Sequence, residues 1–182
     1  MILAITVTGK DRPGIIAALT GALYQVKGNL EDASMTILEG EFAMIFLAAL
    51  KNEIIYRKFR TQLLELEQQF GLAISMKEIK HTLVRGEKHK AGTTPYVISV
   101  LGKDRVGIVY AISKSLANFG LNITDLNSKI IGRGRKTTYV LVLEVDIPRR
   151  ARLMTNLKSK LLKLQKMLGI RISINPLASS RF

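Results

Sequence analysis

The sequence predicts an α+β fold built from two βαββαβ repeats, each with an antiparallel four-stranded sheet. Three observations carry that expectation. The stretch "GKDRPGIIAAL" from Gly9 returns as "GKDRVGIVYAI" from Gly102, and eight of the fifteen positions from Gly9 to Leu23 are identical at a shift of 93 residues. Apolar residues alternate before each copy and recur at helical spacing after it. A chain of 182 residues with 47% apolar content can bury two small cores and is not a disordered tail.

The elements follow in order. Leu3, Ile5 and Val7, matched by Tyr96, Ile98 and Val100, form one face of a strand at period two. After the repeated turn, Ile15, Ile16, Leu19, Leu23 and Val26 make a single helical stripe, matched by Ile108, Val109, Ile112, Leu116 and Phe119. Asn29-Leu30 and Asn122-Ile123 open the next strands, and Asp32 falls on Asp125 without a gap. The first copy continues with "LEDASMTIL", a turn at Glu39-Gly40-Glu41 and the strand "FAMIFLAAL". A helix with Phe59, Leu63, Leu66 and Phe70 on one face then leads to a strand in "LAISMKEI". In the second copy "GRGRK" (Gly132 to Lys136) is the hairpin turn and "TTYVLVLEV" the strand. The helix is expected from about Pro148 to Leu168, with Pro148 in its first turn and Gly169 at its end, before a last strand "IRISI".

This order is the split βαβ arrangement of ferredoxin-like folds. The polar stretch "HTLVRGEKHKAGTTP" (His81 to Pro95) reads as a linker. Module 1 is therefore expected at 1–80, the linker at 81–94 and module 2 at 95–182. "FAMIFLAAL" and "YVLVLEV" barely alternate, so the open sheet faces are expected to be covered by another module or another chain.

Composition narrows the chemistry. Cysteine is absent, and the two histidines, His81 and His89, fall in the linker without a partnered Ser or Asp motif or a metal-ligand spacing. No catalytic residue, metal or cofactor is expected. The N-terminus lacks the pattern of a signal peptide, and the longest apolar run, Phe42 to Leu50, is too short to span a bilayer. A cytoplasmic protein without a membrane partner is the expectation. Net charge is +14, and it is lopsided: residues 1–90 hold 12 Lys/Arg against 10 Asp/Glu, and residues 91–182 hold 16 against 4. Such a field attracts acidic partners.

Each repeated turn links a strand to a helix, so its backbone N–H groups and helix dipole favour an anion. Gly9-x-x-x-x-Gly14 begins like a phosphate loop, but Ile15-Ile16 stand where Lys-Ser/Thr is required, and Ile108-Val109 repeat that departure. Asp11 and Asp104 would also repel a polyphosphate. An amino acid suits the equipment better: its carboxylate meets the N–H groups, its ammonium meets Asp11 or Asp104, and the amides of Asn29 and Asn122 donate and accept together. The same residues also serve a fold alone, Asp as a helix cap and Asn in a helix-to-strand turn. The residues leave both readings open.

With "DRPGI", "DRVGI", "GNL" and "GLNI" in a βαββαβ frame, the chain resembles the ACT-domain family, regulatory modules that commonly bind amino acids. The resemblance covers nearly all of 1–80 and 95–176. By position it implies a ligand site from Asp11, Arg12, Pro13, Gly14 and Ile15 with Asn29 and Leu30. In the second copy it implies Asp104, Arg105, Val106, Gly107 and Ile108 with Asn122 and Ile123. Such sites usually lie where two modules meet. The resemblance further implies a non-catalytic regulator of transcription or metabolism, of the glycine cleavage type. It would work through a protein partner such as a transcriptional regulator and as a homo-oligomer, with glycine or serine as candidate ligands. Val106 replaces the proline of the first loop, so the two sites need not be equal.

The alternative is a nucleic-acid-binding protein on the same fold. It is motivated by Arg149, Arg150, Arg152, Lys158, Lys160, Lys163 and Lys166 and by the "GRGRK" hairpin. No helix-turn-helix signature or aromatic interleaving accompanies that basic run.

Overall fold

Strand alternation and the helical stripes meet in two separate cores. The computed structural model describes residues 1–80, 88–132, 137–150 and 152–177. The first unit runs β1 (Ile2–Lys10), α1 (Ile15–Gln25), β2 (Asn29–Leu38), β3 (Glu41–Ala49), α2 (Glu53–Phe70) and β4 (Leu72–Ile79). The second runs β5 (Thr93–Gly102), α3 (Ile108–Asn118), β6 (Asn122–Ile131), β7 (Thr138–Pro148), α4 (Leu153–Leu168) and β8 (Arg171–Pro176). The sheet orders, β2-β3-β1-β4 and β6-β7-β5-β8, are the same, and every pairing is antiparallel. Two βαββαβ modules are therefore present, as the repeated sequence predicts.

In the first core Leu3, Ile5 and Val7 pack with Ile15, Leu19 and Leu23 of α1 and Phe59 and Leu63 of α2. Ile98 and Val100 do the same with Ile108, Ile112, Leu116, Leu157 and Leu161 in the second. Both second helices close at a left-handed glycine, Gly71 or Gly169. A side-chain amide or carboxylate one turn earlier then crosses to the edge strand. Glu67 Oε1 accepts from the Ile74 N–H, and Gln165 Oε1 accepts from the Ile172 N–H at 2.8 Å. These contacts satisfy N–H groups on strands that have no outer neighbour within their sheet.

One expectation is corrected. Pro148 does not start the last helix: it ends β7, opposite Thr93, and α4 begins at Leu153 behind Arg152 (φ 66°). The ladder with β5 reaches that far, and a residue without an N–H is tolerated at a strand end. The linker stretch ends inside structure, since β5 starts at Thr93. His81 and the rest of 81–87, and all of the "GRGRK" turn except Gly132, lie outside the described residues. The two hairpins also differ in length: Glu39 and Gly40 alone join β2 to β3, whereas six residues separate Ile131 from Thr138.

The open sheet faces are covered unequally. On β3, Ile45 is 50% exposed, with Ala43 and Leu47 half-buried beside it. On β7, Val142 and Glu144 are half-buried and Asp146 is only 4% exposed.

Candidate functional site

The repeated turn is built the same way twice. Gly9 and Gly102 are glycine because the following edge strand lies against them; an added Cβ would stand 2.8 Å from Leu72 Cδ2 or 2.7 Å from Ile170 Cγ2. Gly14 and Gly107 are glycine for their backbone, each at φ 95°, a conformation that costs L side chains energy. Each of these glycines is a helix N-cap without a side chain, and no side chain caps either helix. The first intrahelical bonds run from Ala18 N–H to Gly14 O and from Ala111 N–H to Gly107 O. The N–H groups of the first turn before these thus face the turn without a capping oxygen, at the positive end of the helix dipole.

Asp11 and Asp104 are exposed and do not act as caps. The Asp11 N–H donates to Gly40 O at 2.8 Å, which pins the first turn to the β2–β3 hairpin. Arg12, Pro13 and Val106 are exposed, while Ile15 and Ile108 point into the cores. The two arginines differ. Arg105 Nη1 donates to Leu168 O at 3.4 Å, over the carbonyl end of α4. No such contact ties Arg12 among the described residues.

The asparagines lie elsewhere. Asn29 is opposite Ala49, seven positions along β3 from Phe42, which faces Gly9. Asn122 is opposite Asp146, seven positions along β7 from Tyr139, which faces Gly102. Seven strand positions are roughly 23 Å. Within one module the turn (Asp11 or Asp104) and the start of the second strand (Asn29-Leu30 or Asn122-Ile123) occupy opposite ends of the sheet. The Asn29 side chain also donates to Glu31 Oε1 at 3.0 Å. Asn122 and Leu30 are exposed, and Ile123 is half-buried.

Sequence reasoning missed one polar assembly. On the open face of module 2 the buried Asp146 carboxylate accepts from the Lys90 N–H at 2.8 Å and from His89 Nδ1, also at 2.8 Å. Lys88 Nζ donates to Glu144 Oε2 at 2.7 Å and lies 3.7 Å from Asp125 Oδ2. The Glu144 hydrogen bond holds the Lys88 ammonium above its ordinary 10.5, with the charges of Glu144 and Asp125 adding to it and partial burial opposing it. The signal was present: "LVLEVDI" places two acids on one face of an otherwise apolar strand.

With this geometry in place, comparison with known proteins is decisive. The profile of the ACT domain family matches residues 1–77 and 94–175. The chain belongs to the ACT-domain family. Its two ACT modules account for nearly all the described structure. A UPF0237 protein of Clostridium acetobutylicum is 37% identical over 75 residues, which are 41% of this chain and 84% of that protein. A UPF0237 protein of Methanopyrus kandleri is 35% identical over 71 residues, 38% of this chain and 79% of its own. These relatives therefore match one ACT module's length. Two crystal structures match the whole chain. A protein of unknown function from Galdieria sulphuraria superposes with a TM-score of 0.78 at 25% identity, covering 97% of this chain and 98% of its own. A candidate glycine cleavage system transcriptional repressor superposes with a TM-score of 0.71 at 21% identity, covering 98% of both chains. The second likeness is one of fold. No helix among the described residues is long and apolar enough to cross a membrane.

Proposed function

We propose that the chain is a non-catalytic regulator whose ACT modules sense an amino acid at the repeated turn and pass the signal to a protein partner. The observation that carries this reading is the uncapped helix start beside an exposed Asp, present in both modules. The amino-acid carboxylate takes the first-turn N–H groups of α1 or α3, and the ammonium takes Asp11 or Asp104. Asn29 or Asn122 cannot reach a ligand held by the turn of its own module, so a ligand gripped by both a turn and an asparagine draws on a second copy of the chain. Ligand binding is then linked to assembly, because only the assembled form offers the complete site. Control of the glycine cleavage type, with glycine or serine as first candidates, is the physiological form proposed for this response.

The test is a thermal-shift screen of the full chain against the twenty amino acids. At least one should raise the melting temperature saturably; a ligand at one hundred times its Kd adds about 2.7 kcal/mol to the module that binds it. Asp11→Ala together with Asp104→Ala should abolish the rise. Sedimentation with the hit should show a larger species than without it. A screen in which no amino acid stabilises the protein overturns the reading.

A further inference from the structure

We propose that the outer flank of α4, with the neighbouring edge strand β8, docks an acidic protein segment that carries one apolar anchor residue. The inference deepens the partner half of the proposed function and rests on it.

The acids of module 2 are sorted by face. β7 alternates with Leu141, Leu143 and Val145 in the core, so Glu144 and Asp146 stand on the open side of the sheet, and Asp125 is paired with Glu144 there. Among the described residues of this module the only other acid is Asp104, in the turn. The α4 side is basic. Lys158, Lys160, Lys163 and Lys166 of α4 are all exposed, and no ion pair engages them among the described residues. With no acid on α4, their fields add instead of cancelling.

The flank is not only basic. Leu162 is 55% exposed and Met167 is 68% exposed, in the same arc as the lysines. Between α4 and β8 lies a cleft of about 200 Å³, lined by Leu161, Leu162, Ile172 and Ile174 with Lys158 at its margin. A phosphate backbone offers nothing to such a cleft, and a concave site does not suit insertion into lipid. An apolar side chain set among carboxylates suits both the cleft and the lysines.

Module 1 supplies an internal contrast. Aligned at Gly71 and Gly169, its flank repeats the apolar positions (Leu64 for Leu162, Ile74 for Ile172) and one cation (Arg60 for Lys158), but Gln62 stands where Lys160 is, Glu65 where Lys163 is and Gln68 where Lys166 is. The proposal therefore assigns docking to module 2.

The experiment pans a display library of random peptides of about 12 residues on the full chain, without added amino acid. Enriched peptides should carry several Asp or Glu around a Leu, Ile, Phe or Met. A synthetic, fluorescent copy of the most enriched peptide should lose about tenfold or more in affinity to the Lys158→Glu/Lys163→Glu variant and about fivefold to Leu162→Asp. Arg60→Glu, the matching charge swap in module 1, should leave its affinity unchanged. All these positions are exposed, and circular dichroism checks that each variant is folded. Failure to enrich peptides, enrichment of peptides without acids, or indifference to the charge swap overturns the proposal. So does displacement of the peptide by a DNA duplex of about 20 base pairs or by phosphatidylserine vesicles with binding that ignores Leu162→Asp, since that is phosphate recognition. Because no amino acid is present, these failures leave the thermal-shift result on ligand sensing standing.

Discussion

Modules 1 and 2 have the same strand order, the same glycine-ended helices and the same uncapped turn, yet β3 and β7 present different chemistry on the open faces of their sheets. Ile5 faces Phe46 and Ile98 faces Leu143, so Leu47 corresponds to Glu144 and Ala49 to Asp146. Module 1 keeps aliphatic side chains there, with Ile45 half exposed. Module 2 replaces them with carboxylates and lays Lys88, His89 and the Lys90 N–H across them. Apart from the exposed Lys-Asp-Arg of the turn, the shared features lie on the buried side or in the backbone, where one substitution disturbs many contacts. The differing residues lie on faces where a side chain can change without repacking a core. Duplication thus preserved the scaffold and left the surfaces to diverge.

The largest expected effect tests the shared part. Phe59 of module 1 and Leu157 of module 2 are equivalent and fully buried. Phe59→Ala should cost about 3–5 kcal/mol and Leu157→Ala about 2–5 kcal/mol. Hydrogen exchange should locate each loss in its own module; a loss spread equally over both would contradict two separate cores. A smaller effect tests the difference. Asp146→Ala leaves the Lys90 N–H and His89 without their acceptor and should cost about 1–3 kcal/mol by urea titration, with faster proteolysis near Lys88 and Lys90. Unchanged stability would mean that the carboxylate is an ornament on the face and not its fastener.

The smallest effect concerns Lys88. Its folded-state pKa lies above the ordinary 10.5, so its contribution is fully present below that value and is lost as pH rises through the folded value. About half its side chain is exposed, which limits the pair to about 1 kcal/mol or less. The gap in urea midpoint between wild type and Lys88→Met should hold steady from neutral pH upward and close only beyond 10.5. A gap that closed below 10.5 would contradict the assignment to Lys88.

Much of this was legible in the chain. The shift of 93 residues in "GKDR" announces two equal modules, and period-two and helical stripes place β1, α1, β5 and α3. What misled was Pro148: a proline before a basic amphipathic stretch looks like a helix start, and only the ladder with Thr93 shows the strand continuing. The His89–Asp146 pair joins residues 57 apart, a separation across which sequence pattern carries no signal.

The candidate site divides along the same line. Local geometry, namely the φ 95° glycine and the uncapped first turn, follows from residues next to one another, so the repeated motif was sufficient to announce it. Whether Asp11 and Asn29 can share a ligand depends on register across two strand pairings, and that register sets them at opposite ends of the sheet. By itself the sequence determined the twin modules, the turn and the basic second half, because each depends on near neighbours or on composition. Only the tertiary structure decided which face carries which charge and which polar groups meet, since those follow from pairing between distant segments.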